Sequence, residues 1–173
     1  MSTWLPEYYS ERNLRLKLEE DFERALSFSE DGTPLDGSPA LNFDVRFATR
    51  GKITSFEFNE EEGVYNIRQY NRAFIDGNCD TEVAVTNVLI LRMAISGMPG
   101  DREGRLNIRT TGSGTGYFVN GGEYVEIEWS REDNESQFVY TLMDGSELIL
   151  GQGQTYICIV PNAMEINFSS QTP

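Results

Sequence analysis

Three stretches of this 173-residue chain hold side chains whose types and spacing could do chemistry. The first is Tyr65-Asn-Ile-Arg-Gln-Tyr-Asn-Arg72, where strand alternation places Tyr65, Ile67 and Gln69 on one face and Asn66, Arg68, Tyr70 and Arg72 on the other. An aromatic ring beside guanidinium groups can stack on a sugar or peptide and fork onto a carboxylate. The plainer reading is an exposed strand face pairing with the chain's surplus acids. The second is Asp76-Gly-Asn-Cys-Asp80-Thr-Glu82, which gathers carboxylates without the ligand register of an EF-hand. A turn built on Asx side chains accounts for it better, with surface calcium the lesser alternative. The third is Gly112-Ser-Gly-Thr-Gly116. A phosphate loop leads from a strand into a helix N-terminus, whereas this one leads into Tyr117-Phe-Val119 and carries no lysine. Close backbone approach or a bulge explains its glycines better than a nucleotide does.

The chain contains no histidine. That removes the commonest general base and metal ligand, and with them a Ser-His-Asp triad, a Cys-His pair and the HExxH zinc motif. Carboxylate pairs of the kind that hydrolyse glycosides stay conceivable, but most acids fall in turns or on polar faces, where a raised pKa is hard to arrange. With 28 acidic against 14 basic residues the net charge is −14, which repels nucleic acid and anionic lipid. Only Lys17 and Lys52 are lysines, so the positive charge is mostly arginine, suited to fixed ion pairs. Cys158 alternates with Tyr156 and Val160 in an apolar strand, where a free thiol acts as a small core hydrophobe. Cys79 lies in a polar turn; a Cys79–Cys158 bridge is one option and two free thiols the other. No stretch approaches the roughly 20 apolar residues needed to span a bilayer, and residues 1–13 lack a basic-then-apolar signal pattern. If an export signal or anchor was trimmed away, that absence says little about the native compartment.

These residues need elements to position them. Leu14, Leu18, Phe22, Ala25 and Leu26 recur at helical spacing, predicting an amphipathic helix over 10–28. Residues 29–40, rich in Gly, Pro, Asp and Ser, read as a linker. The period then changes to two, predicting strands at 41–48, 53–59, 63–72, 83–94, 104–110, 115–119, 123–130, 137–143, 146–151, 155–161 and 164–168. Hairpin turns are expected at Asn59–Gly63, Asn120–Gly122 and Asp144–Gly145. The run Val83–Ile95 is apolar on both phases, so it belongs inside the sheet system. The expected fold is mainly β: an antiparallel sandwich or partly open barrel of short strands with one N-terminal amphipathic helix. Residues 1–40 form the helix and linker and 41–173 the β-rich domain, together one structural unit.

Tyr70 and Arg72, then Asp80-Thr81, Asn87-Val88, Gly112-Ser-Gly-Thr-Gly116 with Tyr117-Phe118 follow in order, and after them Gly121-Gly122, Glu128-Trp129, Asp144-Gly145 and Gly151-Gln-Gly-Gln-Thr-Tyr-Ile157. In order and spacing these resemble the C-terminal domain of the YerB-like lipoproteins, exported membrane-anchored proteins of Gram-positive bacteria whose biochemical role is undefined. The resemblance implies an extracytoplasmic location and a non-enzymatic envelope role, and it supplies no catalytic residues. The chain departs from the family in lacking the lipidated N-terminus and the preceding domain. Most of the matching residues read as architectural; Tyr70, Arg72, Asp80 and Asn87 bear the polar groups for a recognition patch.

The expectation is a non-enzymatic binding or accessory domain that holds a wall glycan, peptide or protein partner, without cofactor, metal or nucleic acid and without inserting into the membrane. The alternatives are a carboxylate-dependent polysaccharide hydrolase and a structural spacer supporting a missing N-terminal domain.

Overall fold

The computed structural model describes residues 24–48 and 51–171. In chain order the strands are β1 (Ser27–Ser29), β2 (Ser38–Pro39), β3 (Asn42–Arg46), β4 (Ile53–Asn59), β5 (Val64–Gln69), β6 (Arg72–Ala73), β7 (Ala84–Val85) and β8 (Asn87–Met93). They continue with β9 (Ile95–Gly97), β10 (Leu106–Ile108), β11 (Gly112–Asn120), β12 (Glu123–Arg131), β13 (Val139–Leu142), β14 (Ile149–Gly151), β15 (Thr155–Pro161) and β16 (Asn167–Ser169).

The layout follows from which strands have apolar residues on one phase and which on both. A central sheet runs β13-β12-β11-β8-β15, with β2 added beside β12. Facing it is an antiparallel sheet, β16-β3-β4-β5-β6, with β7 beside β5. In that outer sheet Phe43, Val45, Phe56, Tyr65 and Ile67 alternate with polar residues and point inward. They meet Val88, Ile90, Val119, Cys158 and Val160 from the central sheet. The central sheet's other face holds Leu89, Leu91, Met93, Phe118, Ile127 and Trp129. Leu148 and Leu150 complete that second core. Each fully buried Val, Leu, Ile or Phe contributes about 1.5–3 kcal/mol, so the central sheet is stabilised from both sides. This is why β8 reads as apolar on both phases.

Tyr65 ties the two sheets together. Its hydroxyl donates to Ala40 O (3.1 Å) and accepts the Gly122 N–H (3.1 Å), while Ala40 N–H donates to Gly122 O (2.7 Å). Gly121 and Gly122 make the β11–β12 turn with φ of 61° and 82°; a side chain at Gly121 would collide with Thr33, and one at Gly122 would crowd Phe58 and Leu41. Burial raises the Tyr65 hydroxyl pKa, with the Gly122 hydrogen bond opposing.

Several expectations need correction. Most of the helix expected over 10–28 lies outside the described residues, but its last part does not form: Ser27–Ser29 is strand, paired in parallel with Ile149–Gly151. The open edge of β14 offers ladder hydrogen bonds there, and tertiary pairing overrides local periodicity. In the supposed linker, Ser38–Pro39 pairs with Glu123–Tyr124 and Ala40 is buried. The architecture is not wholly antiparallel, since β8 and β15 run parallel over seven residue pairs, and among the described residues no barrel closes. The hairpin turns stand at Asn59–Gly63, Asn120–Gly122 and Asp144–Gly145, where Gly145 N–H donates to Leu142 O (2.9 Å).

Replacing Tyr65 with Phe keeps the ring but strands a buried donor and acceptor, and should lower stability by about 1–3 kcal/mol in urea unfolding. Alkali offers a second check. Burial raises the Cys158 thiol from 9.0 up to about 12 and also raises the Tyr65 and Tyr140 hydroxyls above 10.0. The folded state therefore holds protons that the unfolded chain has lost, so the contribution of these three groups is level below pH 9 and falls above it, for Cys158 by about 1.4 kcal/mol per pH unit. Exposed Cys79 contributes with opposite sign, so the measurement belongs in a Cys79→Ser background. There Cys158→Ala should delay the decline to near pH 10.

Candidate functional site

The four residues expected to form a recognition patch fall in different environments. β5 stops at Gln69, and Tyr70 and Asn71, with φ of 54° and 59°, form the two-residue turn into β6. Gln69 pairs with Arg72 across that turn, so Arg72 lies on the Gln69 face and the alternation expected to join Tyr70, Arg72 and Arg68 ends at residue 69. Tyr70 stands at the tip, 70% exposed. Arg68 closes the turn: its Nη2 donates to Asn71 O (3.3 Å), and its Nε lies 3.7 Å from Glu57. Asn71, a residue that tolerates positive φ, was the available sequence signal for this turn.

Asp80 is exposed at the end of a separate reverse turn, with φ of 54°. Asp76 builds that turn. Its carboxylate accepts the Asn78 N–H (2.7 Å), and its backbone bonds to Asp80 and Thr81 (2.9 Å each). This is the Asx cluster expected from the sequence. Cys79 in the same turn is exposed, and Thr81 Oγ1 at 2.9 Å holds its thiol pKa below the usual value. Both cysteines are free, and Cys158 is buried as a core residue.

Asn87 is fully buried and far from any surface role. Its Nδ2 donates to Gly151 O (2.8 Å) and Thr155 Oγ1 (3.2 Å). Its Oδ1 accepts from Asn120 Nδ2 (2.8 Å) and Gly151 N–H (2.9 Å). One amide thus joins β8, β11, β14 and β15, and its hydrogen-bonding capacity is filled.

The Gly112–Gly116 motif is architectural. A Cβ at Gly114 would lie 2.8 Å from the Trp129 indole nitrogen, and one at Gly116 would strike Ile90 O. The missing side chains let Trp129 lie across β11 and donate to Arg92 O (3.1 Å).

What the sequence did not reveal is a groove of about 540 Å³ between residues 29–35 and the β13–β14 hairpin. Its apolar lining is Leu35, Phe118, Val125, Leu142, Leu148 and Ile149, with Asp31, Ser146 and Glu147 at the rim. Leu35 is 92% exposed and Ile149 49%, and Phe28 and Met143 are also exposed. The loop that carries Leu35 is held by Gln152 N–H to Ser29 O (2.8 Å) and by Thr33 N–H to the Asp31 carboxylate (2.8 Å). The available signal was Leu35 itself, a large apolar side chain within a polar, turn-rich stretch. A second, shallower groove of about 480 Å³ holds Tyr117 and Tyr124 with Asp36, Glu126 and Asp144.

Asp31, Asp101, Asp133 and Asp144 have pKa values held below the ordinary carboxylate range, chiefly by hydrogen bonds from Thr33, Arg105, Ser136 and Ser146. They are ionised at neutral pH. Among the described residues no helix is long and apolar enough to cross a membrane.

The fold defines a mainly β domain of layered sheets. Over residues 43–157 the sequence matches the C-terminal domain of a protein family of unknown function, DUF3048, and the chain belongs to that family. Its structure is similar to the crystal structure of the YerB protein from Bacillus subtilis, with a TM-score of 0.68 at 20% identity. The likeness covers 95% of this chain but 53% of that one, so the chain spans about half of its structural relative. No curated protein matches the sequence. The resemblance to the YerB-like C-terminal domain drawn from the sequence therefore holds.

If Asn87 is structural, Asn87→Ala should cost at least about 2 kcal/mol by leaving Gly151 and Asn120 groups unpaired. Asp80→Asn, which keeps an αL-tolerant side chain, should change stability by less than about 0.5 kcal/mol. Paired urea melts would check both.

Proposed function

We propose that this chain is a non-catalytic binding domain whose apolar groove holds a protruding apolar segment of another protein, on the extracytoplasmic side of the envelope. The groove carries the reading. Soluble surfaces usually leave large apolar side chains scattered, whereas here Leu35 and Ile149 flank a continuous apolar floor of Phe118, Val125, Leu142 and Leu148 with a polar rim. The floor and one wall come from the sheet and the β13–β14 hairpin, and the loop that makes the other wall is held by its hydrogen bonds to Gln152 and Asp31, which limits the ordering cost of binding. The location is taken from the family resemblance. A hydrolase would need one carboxyl kept protonated by its surroundings, and among the described residues the carboxyls with resolved shifts move the opposite way.

The second groove favours another ligand. Tyr117 and Tyr124 beside Asp36, Glu126 and Asp144 suit a sugar or an amine-bearing wall component.

Titration of the chain with a defined set of apolar-rich peptides and with soluble peptidoglycan fragments separates the two. Peptides should bind, and a folded Leu35→Asp, Ile149→Asp double variant should weaken them at least about tenfold, near 1.4 kcal/mol. Binding of wall fragments alone, unaffected in that variant, would move the site to the tyrosine groove.

A further inference from the structure

We infer that two copies of this chain associate edge to edge through β15, joining their central sheets across a two-fold axis. β15 ends the central sheet, and among the described residues its ladder runs to β8 alone. In a parallel ladder alternate residues turn their N–H and C=O away from the neighbour, so this strand presents a row of backbone donors and acceptors on its open side. The sheet's opposite edge is protected. There β13 is short and its outer side is capped by the hairpin, with Leu142 N–H to Ser146 O (2.8 Å) and Leu148 N–H to Tyr140 O (3.2 Å). The usual guards of an edge strand are charges, bulges and proline. In β15 only Pro161, its last residue, is of that kind, and Thr155–Val160 carries no charge.

The charge pattern names the occupant. From Leu148 to Met164, between Glu147 and Glu165, the chain has no charged residue, although its net charge is −14. Two such chains repel over most of their surfaces, and an isologous contact along β15 joins strands with no charged residue of their own, beside which the nearby cation Lys52 lies 3.4 Å from the Tyr156 hydroxyl. Ile157, half exposed beside the edge, and Ile159, partly buried, supply apolar area for that contact. The groove described above lies toward the other edge, so dimerisation leaves it open and either proposal can fail alone.

Sedimentation of the full chain at low and high NaCl tests this. Salt screens the repulsion and leaves the apolar and backbone contacts, so the fraction with twice the chain mass should rise with salt. Ile157→Lys should return the protein to a single chain without changing its circular dichroism, while Val139→Lys on the opposite edge should stay dimeric. Independently of any variant, hydrogen exchange of alternate amides in Thr155–Val160 should slow about tenfold or more as protein concentration is raised through the dimer range. A single-chain mass at every salt concentration would overturn the inference. So would a dimer whose β15 amides exchange independently of concentration, or β15 amides that bind an added extended peptide in preference to a second copy.

Discussion

A strand covered on both faces can hold polar groups only where each finds a partner, and β8 sets this condition for the rest of the domain. Val88 and Ile90 face one core while Leu89, Leu91 and Met93 face the other. Two covers are therefore required, one being the outer antiparallel sheet and the other β14 with the segments around it. The polar residues of β8 sit toward its ends. Asn87 fills its four hydrogen bonds at the start. Near the finish, Arg92 lays its guanidinium 4.9 Å from the Tyr117 ring and donates to Tyr117 Oη and Met164 O (3.3 Å each), leaving a buried Nε without a partner. The amide is fully compensated. The guanidinium is not, which marks that end of β8 as less completely satisfied than its beginning.

The sequence made legible what depends on neighbours a few residues apart. Alternation located most strands and set Tyr65 and Ile67 on one shared face, and Asn-Gly and Asp-Gly chemistry located hairpin turns. Cys158 sat where its apolar flanks put it. The glycines of residues 112–116 served close backbone approach, since Trp129 and β8 occupy the space a side chain would need. Pairing between distant segments was not legible. Asn87 meets Thr155 in a parallel register, and Ser27 meets Ile149, because sheet edges become available only after the rest has assembled. Asn87 illustrates the cost of this: as a polar residue opening an apolar strand it looked available to a ligand, and three other strands consume it.

Tyr70 and Arg72 failed as a shared face for a local reason. Period-two alternation assumes an uninterrupted strand, and two consecutive residues in the left-handed region reverse the chain at once. Reversal moves Arg72 onto the face of Gln69 and leaves Tyr70 at the tip. The groove escaped notice for the opposite reason, because its lining draws on residues 35, 118, 125, 142, 148 and 149, which come from three separate stretches of the chain.

The two long edges of the central sheet show how the same backbone problem has two solutions. At β13 the chain folds back through Asp144-Gly145 and caps its own edge, and the hairpin so formed becomes one wall of the apolar groove. At β15 the chain leaves through Pro161 to cross to the outer sheet as β16, and within the described residues nothing returns to cap the edge. In a chain carrying −14, excluding charge from Leu148 to Met164 forgoes the cheapest protection an edge can have. That forfeit makes physical sense if the bare edge is itself a contact surface, because a lysine or glutamate there would have to be desolvated whenever the contact formed.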